Sequence, residues 1–184
     1  MKTYIALLRG INVSGQKKIK MAELKTLFEA LLFTDVQTYI QSGNVIFMHD
    51  NAHPEGLERS IRQKILEKYG FEVAVTVLSP SELRGAIAGN PFLKDPSIDL
   101  KRIYVTFLAS RPLPEHIETL GSLDYSPEAY MLDGKVLYFF SPHGYGKAKL
   151  NNNYIENKLK LSATTRNWKT VNTLMEMASG QGSA

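Results

Sequence analysis

The chain has 184 residues, 43% of them hydrophobic, enough to bury one sizeable core or two small ones. It contains no cysteine, which excludes disulfides, thiolate metal sites, iron–sulfur clusters and a cysteine nucleophile. The net charge of +4 is unevenly spread: Lys2, Arg9, Lys17, Lys18, Lys20 and Lys25 face only Glu23 within residues 1–25, and Lys147, Lys149, Lys158, Lys160, Arg166 and Lys169 face only Glu156 within 143–170.

Two basic segments on an otherwise acidic body favour an anionic partner. The opening run Thr3–Leu8 is broken at once by Arg9, too soon for a secretory signal. No stretch approaches the roughly 18 apolar residues of a membrane helix. A cytoplasmic protein with no membrane partner is expected.

Thr3–Leu8 reads as a first strand, followed by a loop, Gly10 to Lys20, that opens a helix. Met21, Leu24, Leu27, Phe28, Leu31 and Leu32 then recur at helical spacing. Val36–Gln41 and Val45–Met48 form a hairpin, and Leu57, Ile61, Ile65 and Tyr69 give a second helical stripe that Gly70 ends. Phe71–Leu78 alternates as a strand. Ser79 is a helix cap with Glu82 three residues on, and Asn90–Pro96 is an irregular linker.

The pattern then starts again. Ile103–Ala109 is a strand, Pro114–Leu120 a short helix, Ala129–Phe140 a hairpin, Asn152–Lys160 a helix and Ala163–Arg166 a last strand; a closing helix begins at Trp168 behind an Asn167 cap. The run Thr38–Phe47 aligns without a gap on Ala129–Tyr138, with Gly43 over Gly134. Two βαββαβ units follow. The predicted fold is α+β, two tandem ferredoxin-like halves with antiparallel or mixed sheets. Residues 1–79 form the first half, 80–100 a connecting helix and linker, 101–178 the second half, and 179–184 a disordered tail.

Strands one and three of each unit are expected side by side and parallel, so that both helices start at one edge and present backbone N–H groups to an anion there. That edge would gather Arg9, Asn12, Lys17 and Lys18 with His49, Asp50 and His53, and in the second half Arg111, His143, Lys147 and Lys149. Gly10 and Gly15 have the separation of a phosphate-binding P-loop, yet Gln16 stands where its lysine belongs. What remains is a weaker glycine-rich anion cradle, or glycines that serve only the turn. Gly144-Tyr145-Gly146-Lys147 lacks the third glycine of a dinucleotide fingerprint. His49 and His53 have no further ligand nearby, so no metal and no cofactor is expected. No Gly-x-Ser-x-Gly elbow occurs, and Asp95 and Asp99 sit in a proline-broken linker where they form turns.

Tyr145, Tyr154 and Trp168 interleave with lysines and Arg166, which offers stacking faces among phosphate-seeking cations. The aromatic signature of the common RNA-binding module is missing.

Leu8-Arg9-Gly10-Ile11-Asn12-Val13, Tyr39-Ile40-Gln41-Ser42-Gly43-Asn44-Val45 and Thr165-Arg166-Asn167-Trp168 together resemble the bacterial family filed as domain of unknown function 1697. The resemblance spans nearly the whole chain and implies a cytoplasmic α+β protein with ferredoxin-like halves and no established activity. Ser14 departs from it, standing where a Gly-Gly pair with Gly15 is expected. The polar positions within those segments, Arg9, Asn12, Ser42, Asn44, Arg166 and Asn167, join Lys17 and Lys18 as candidate ligand-binding residues. Capping and turn formation is their alternative role.

The expected partner is nucleic acid or a phosphorylated small molecule. Two alternatives stay open: a small-metabolite enzyme with His49 or His143 as acid–base group, and a protein-interaction module. Oligomeric state is not legible.

Overall fold

A computed structural model describes residues 1–50 and 53–180. The last four residues of the expected tail, 181–184, lie outside the described residues. The element order is β1 (Lys2–Leu8), α1 (Met21–Glu29), β2 (Thr34–Tyr39), β3 (Asn44–His49), α2 (Pro54–Tyr69), β4 (Val75–Leu78) and α3 (Pro80–Ala88), then β5 (Ile103–Leu108), α4 (Pro114–Gly121), β6 (Ala129–Asp133), β7 (Val136–Phe140), α5 (Asn152–Leu159), β8 (Ala163–Asn167) and α6 (Trp168–Ala178). There are two four-stranded sheets, β2-β3-β1-β4 and β6-β7-β5-β8. Each is the same βαββαβ unit, and all strand pairs are antiparallel. The fold is α+β with two similar halves. By compactness one unit comprises Met1–Arg84 and the chain from Thr173 onward, the other Gly85–Asn172.

In the first unit alternate residues of the sheet, Tyr4, Ala6, Leu8, Val45 and Phe47, meet the apolar stripes Leu24-Leu27-Phe28 of α1 and Leu57-Ile61-Ile65 of α2. Phe47 is fully buried and packs edge-on against Phe28 and stacked against Phe33. Truncating it to alanine would cost roughly 3–5 kcal/mol. α1 ends in a Schellman arrangement, with Phe33 N–H donating to Phe28 O and Leu32 N–H to Glu29 O. Leu32 takes the left-handed position at φ 63° that glycine usually fills. Gly70 does fill it at the end of α2, at φ 74°. At α3 the predicted cap forms a box: Ser79 Oγ accepts from Glu82 N–H, and Glu82 Oε2 accepts from Ser79 N–H.

The second core sits on the equivalent face, where Tyr104, Leu108, Leu137 and Phe139 meet Leu120 of α4 and Ile155 and Leu159 of α5. β5 is buried along its whole length.

Three expectations are corrected. First, β1 and β3 run antiparallel, with Leu7 opposite Asn44 and Lys2 opposite His49. In an all-antiparallel unit the two crossing helices start at opposite ends of the sheet. His49, Asp50 and His53 are therefore at the other end from Arg9 and Asn12. In the second unit Ile103 opposite Phe140 separates Arg111 from His143, Lys147 and Lys149 in the same way.

Second, the gap-free hairpin match does not survive pairing. β2 and β3 close at Tyr39–Asn44 around a four-residue loop, whereas β6 and β7 close at Asp133–Val136 around two. Gly134, at φ 58°, takes the first central position of that short turn, as in a type II′ hairpin. Third, β4 begins at Val75 rather than Phe71, because its partner strand ends at Leu8 and only Arg9 N–H reaches on, to Ala74 O.

Candidate functional site

At the C-terminal end of β1, two loops are tied together by one side chain. Asn12, at φ 55°, donates from Nδ2 to Ile19 O (2.9 Å) and Gln41 O (2.8 Å), while Oδ1 accepts from Ile19 N–H (2.9 Å). The first loop is thereby closed on itself and clamped to the β2–β3 loop. Between those anchors Val13 and Gln16 pair as a small exposed hairpin with Ser14 and Gly15 both at positive φ, and glycine or a small polar residue suits both positions. Gln16 N–H donates to Val13 O and Asn12 N–H to Lys17 O, so much of this glycine loop's donor capacity is internal.

Lys17 donates its Nζ to Glu72 O at 2.7 Å, while Lys18 is exposed. Asn44 is fully buried and donates to Tyr39 O and Ser42 Oγ. Gly43 lies so close to the first loop that a Cβ there would sit 2.7 Å from Ile11 Cδ1. Arg9, Asn12, Lys17, Lys18, Ser42 and Asn44 are thus brought to one end of the first sheet. The bonds of Asn12, Asn44 and Lys17 hold the loops in shape.

Arg166 and Asn167 belong to the second unit, on β8 at its C-terminal end. Arg166 is only 9% exposed, and Nη1 donates to Thr165 O at 2.9 Å. Burial lowers its pKa to about 10, an effect the nearby Tyr145 phenol opposes.

On the other face of β8, at Thr165, runs a chain of polar contacts. Thr106 and Thr165 share a hydroxyl–hydroxyl bond (2.8 Å), and Thr165 Oγ1 donates to Asn152 Oδ1 (2.9 Å). Asn152 N–H donates to Tyr145 Oη (3.0 Å). The Asn152 Nδ2 atom is buried with no acceptor. Asn167 caps α6 through Thr170 N–H at 2.8 Å, and Asn151 caps α5 through Tyr154 N–H.

Tyr145 sits on a 3-10 turn, Tyr145–Lys147. The sequence singled it out for stacking, but Asn152 and Thr106 escaped notice. The triplet Asn151-Asn152-Asn153 ahead of an apolar helical stripe was the available signal. The histidines do not contribute to either cluster: His49 packs edge-on against Phe33, and His143 is exposed on the loop after β7. Among the described residues no group of three or more metal-binding side chains occurs, and no helix is long and apolar enough to cross a membrane.

The class defined by this architecture is an α+β protein of two βαββαβ halves with polar, cation-bearing sheet ends. The chain belongs to the family described as "Protein of unknown function (DUF1697)", whose model matches residues 1–138. The match takes in the first half and the second through Tyr138 of β7; Arg166 and Asn167 lie beyond it. A solved structure, that of the conserved bacterial protein SP0830 from Streptococcus pneumoniae, is similar at 25% identity with a TM-score of 0.75, covering 96% of this chain and 98% of that one. Among curated proteins none matches.

Proposed function

We propose that the chain binds a phosphate-bearing ligand in its second half, with Arg166 as the anion-holding residue. The carrying observation is an arginine that is almost fully buried on the edge strand β8, a cation held in a sheet. Removing a cation from water disfavours its charged form. The depressed pKa has that origin. A bound oxyanion would favour the charged form again, with the guanidinium fork matching two phosphate oxygens.

The basic loop at the end of the first sheet is a weaker candidate, because its conspicuous polar groups already bond to the backbone. Thermal unfolding in rising inorganic phosphate and pyrophosphate, at constant ionic strength, tests the proposal. The melting temperature of the native chain should climb with ligand concentration by mass action. That of Arg166→Met should stay flat while its circular dichroism remains native. A native chain indifferent to both anions, or an equal response in the variant, rejects Arg166 as the anion holder.

A further inference from the structure

We infer that the free edge of β6 is where a second copy of this chain docks, as an antiparallel β6–β6 pair that joins the second-half sheets of two chains into one continuous sheet. Each sheet has two outer strands, β2 and β4 in the first half, β6 and β8 in the second. An outer strand presents a row of N–H and C=O groups that invites another strand unless something blocks it.

Three of these edges are blocked. On β4 the outward Val77 N–H donates to Glu58 Oε1 of α2 at 2.9 Å. On β8 the equivalent Ala163 N–H donates to Glu156 Oε1 of α5, also at 2.9 Å, and Thr165 O accepts from Arg166 Nη1. Glu58 and Glu156 do the same work from matching helices of the two halves. β2 is irregular between Thr34 and Gln37, with Asp35 at φ 47°, and such a bulge interrupts the ladder that a new strand would extend.

β6 has none of these. Its residues, Ala129–Asp133, pair with β7 in unbroken register and include no lysine, no proline and no left-handed position. The two-residue turn makes Asp133 and Val136 a hydrogen-bonded pair, so Met131 and Ala129 also bond to β7, while Tyr130 and Leu132 turn their N–H and C=O groups outward. Among the described residues nothing bonds to those outward groups.

A second copy is the occupant because the edge complements itself. With a twofold axis at Met131, Tyr130 of each copy and Leu132 of the other exchange an N–H···O bond in both directions, and every outward group is used. Met131, 36% exposed in the single chain, then meets its own counterpart at a non-hydrogen-bonded position, where side chains come closest. Asp133, the charged residue of the strand, falls opposite Ala129 of the other copy, so like charges do not meet. A strand from another protein would gain the backbone bonds without the Met131 self-contact. So short a strand makes a small interface, and the dimer should therefore form and dissociate with concentration.

Sedimentation velocity on the full chain over a range of concentrations should show a monomer–dimer equilibrium. Met131→Lys and Met131→Glu each set like charges face to face and should each weaken dimerisation by about tenfold. Mixing the two variants should restore it, since lysine then faces glutamate, and this rescue separates loss of the contact from loss of the fold. The chain has no cysteine, so Met131→Cys under a mild oxidant should yield a disulfide-linked dimer. Ala129→Cys, on the same face but away from the axis, should not.

A native chain that stays monomeric throughout, or a dimer that both charge variants leave intact, overturns the proposal. Cross-linking through Ala129→Cys as efficient as through Met131→Cys rejects the register. A chain that stays monomeric but takes an extended peptide of another protein onto β6 rejects self-docking in favour of a foreign strand.

Discussion

The two hairpins of the molecule join equivalent strands in equivalent sheets, yet one is four residues long and clamped and the other is two residues long and plain. The β2–β3 loop receives the Asn12 amide, holds Ile40 at φ 48° and packs Gly43 against Ile11 and Leu8. The β6–β7 turn has only Gly134 in the left-handed region, and a Cβ added there would meet nothing nearer than Arg111 Nη2 at 3.8 Å. At the opposite end of the second sheet the polar groups join a strand to a helix instead of fastening a loop: Thr106, Thr165 and Asn152 bond side chain to side chain. A cluster of polar residues in a motif is therefore weak evidence of a site. What matters is whether the groups are consumed by the chain's own backbone.

Glycine replacement breaks the comparison most sharply. Gly43→Ala places a Cβ 2.7 Å from Ile11 Cδ1 and 2.8 Å from Leu8 Cβ at φ 77°, and should cost roughly 3 kcal/mol in urea unfolding. Gly134→Ala carries conformational strain alone and should cost about 1 kcal/mol. Equal losses at the two positions would mean that the first loop is not packed as described.

Asn12→Ala comes next. It removes three hydrogen bonds and leaves alanine at φ 55°, for an expected loss of about 2–3 kcal/mol. Asn12→Gly should recover the backbone share, about 1 kcal/mol, by the same measurement.

Arg166→Met should alter how stability depends on pH. The folded pKa, about 10, lies below the ordinary 12.5. Between those values the unfolded chain holds more protons, so stability due to this group rises with pH through that window and its burial is a cost at neutral pH. An apolar side chain of similar length should therefore remove the rise, read as a flatter stability profile in denaturant titrations between about pH 9 and 11. An unchanged profile in the variant would show that another group titrates there.

The smallest effect is Ile40→Asn. A β-branched residue at φ 48° is strained and this one is 48% exposed. Asparagine tolerates that conformation, so a gain of roughly 0.5–1 kcal/mol in thermal or urea unfolding is expected.

Much of the fold was legible because it is written in local periods. The stripe Leu57-Ile61-Ile65 names α2 and its buried face, Gly70 its end, and Ser79 with Glu82 the start of α3. The candidate site was legible only in part. Arg166 and Asn167 stood out through the motif that holds them, but the polar network at the neighbouring Thr165 joins elements far apart in the chain: Thr106 on β5, Tyr145 on a turn and Asn152 on α5. Nor does any residue type reveal that Asn12 satisfies Gln41 across 29 positions.

Alternation of period two, helical stripes and turn residues set the number, type and order of the elements, and with them the two similar βαββαβ halves, since those signals act over a few residues. Strand direction, the register at each hairpin and the burial of Arg166 were decided by tertiary structure. Hydrogen-bond pairing and desolvation depend on neighbours brought together only when the sheets close, and such neighbours leave no period in the chain.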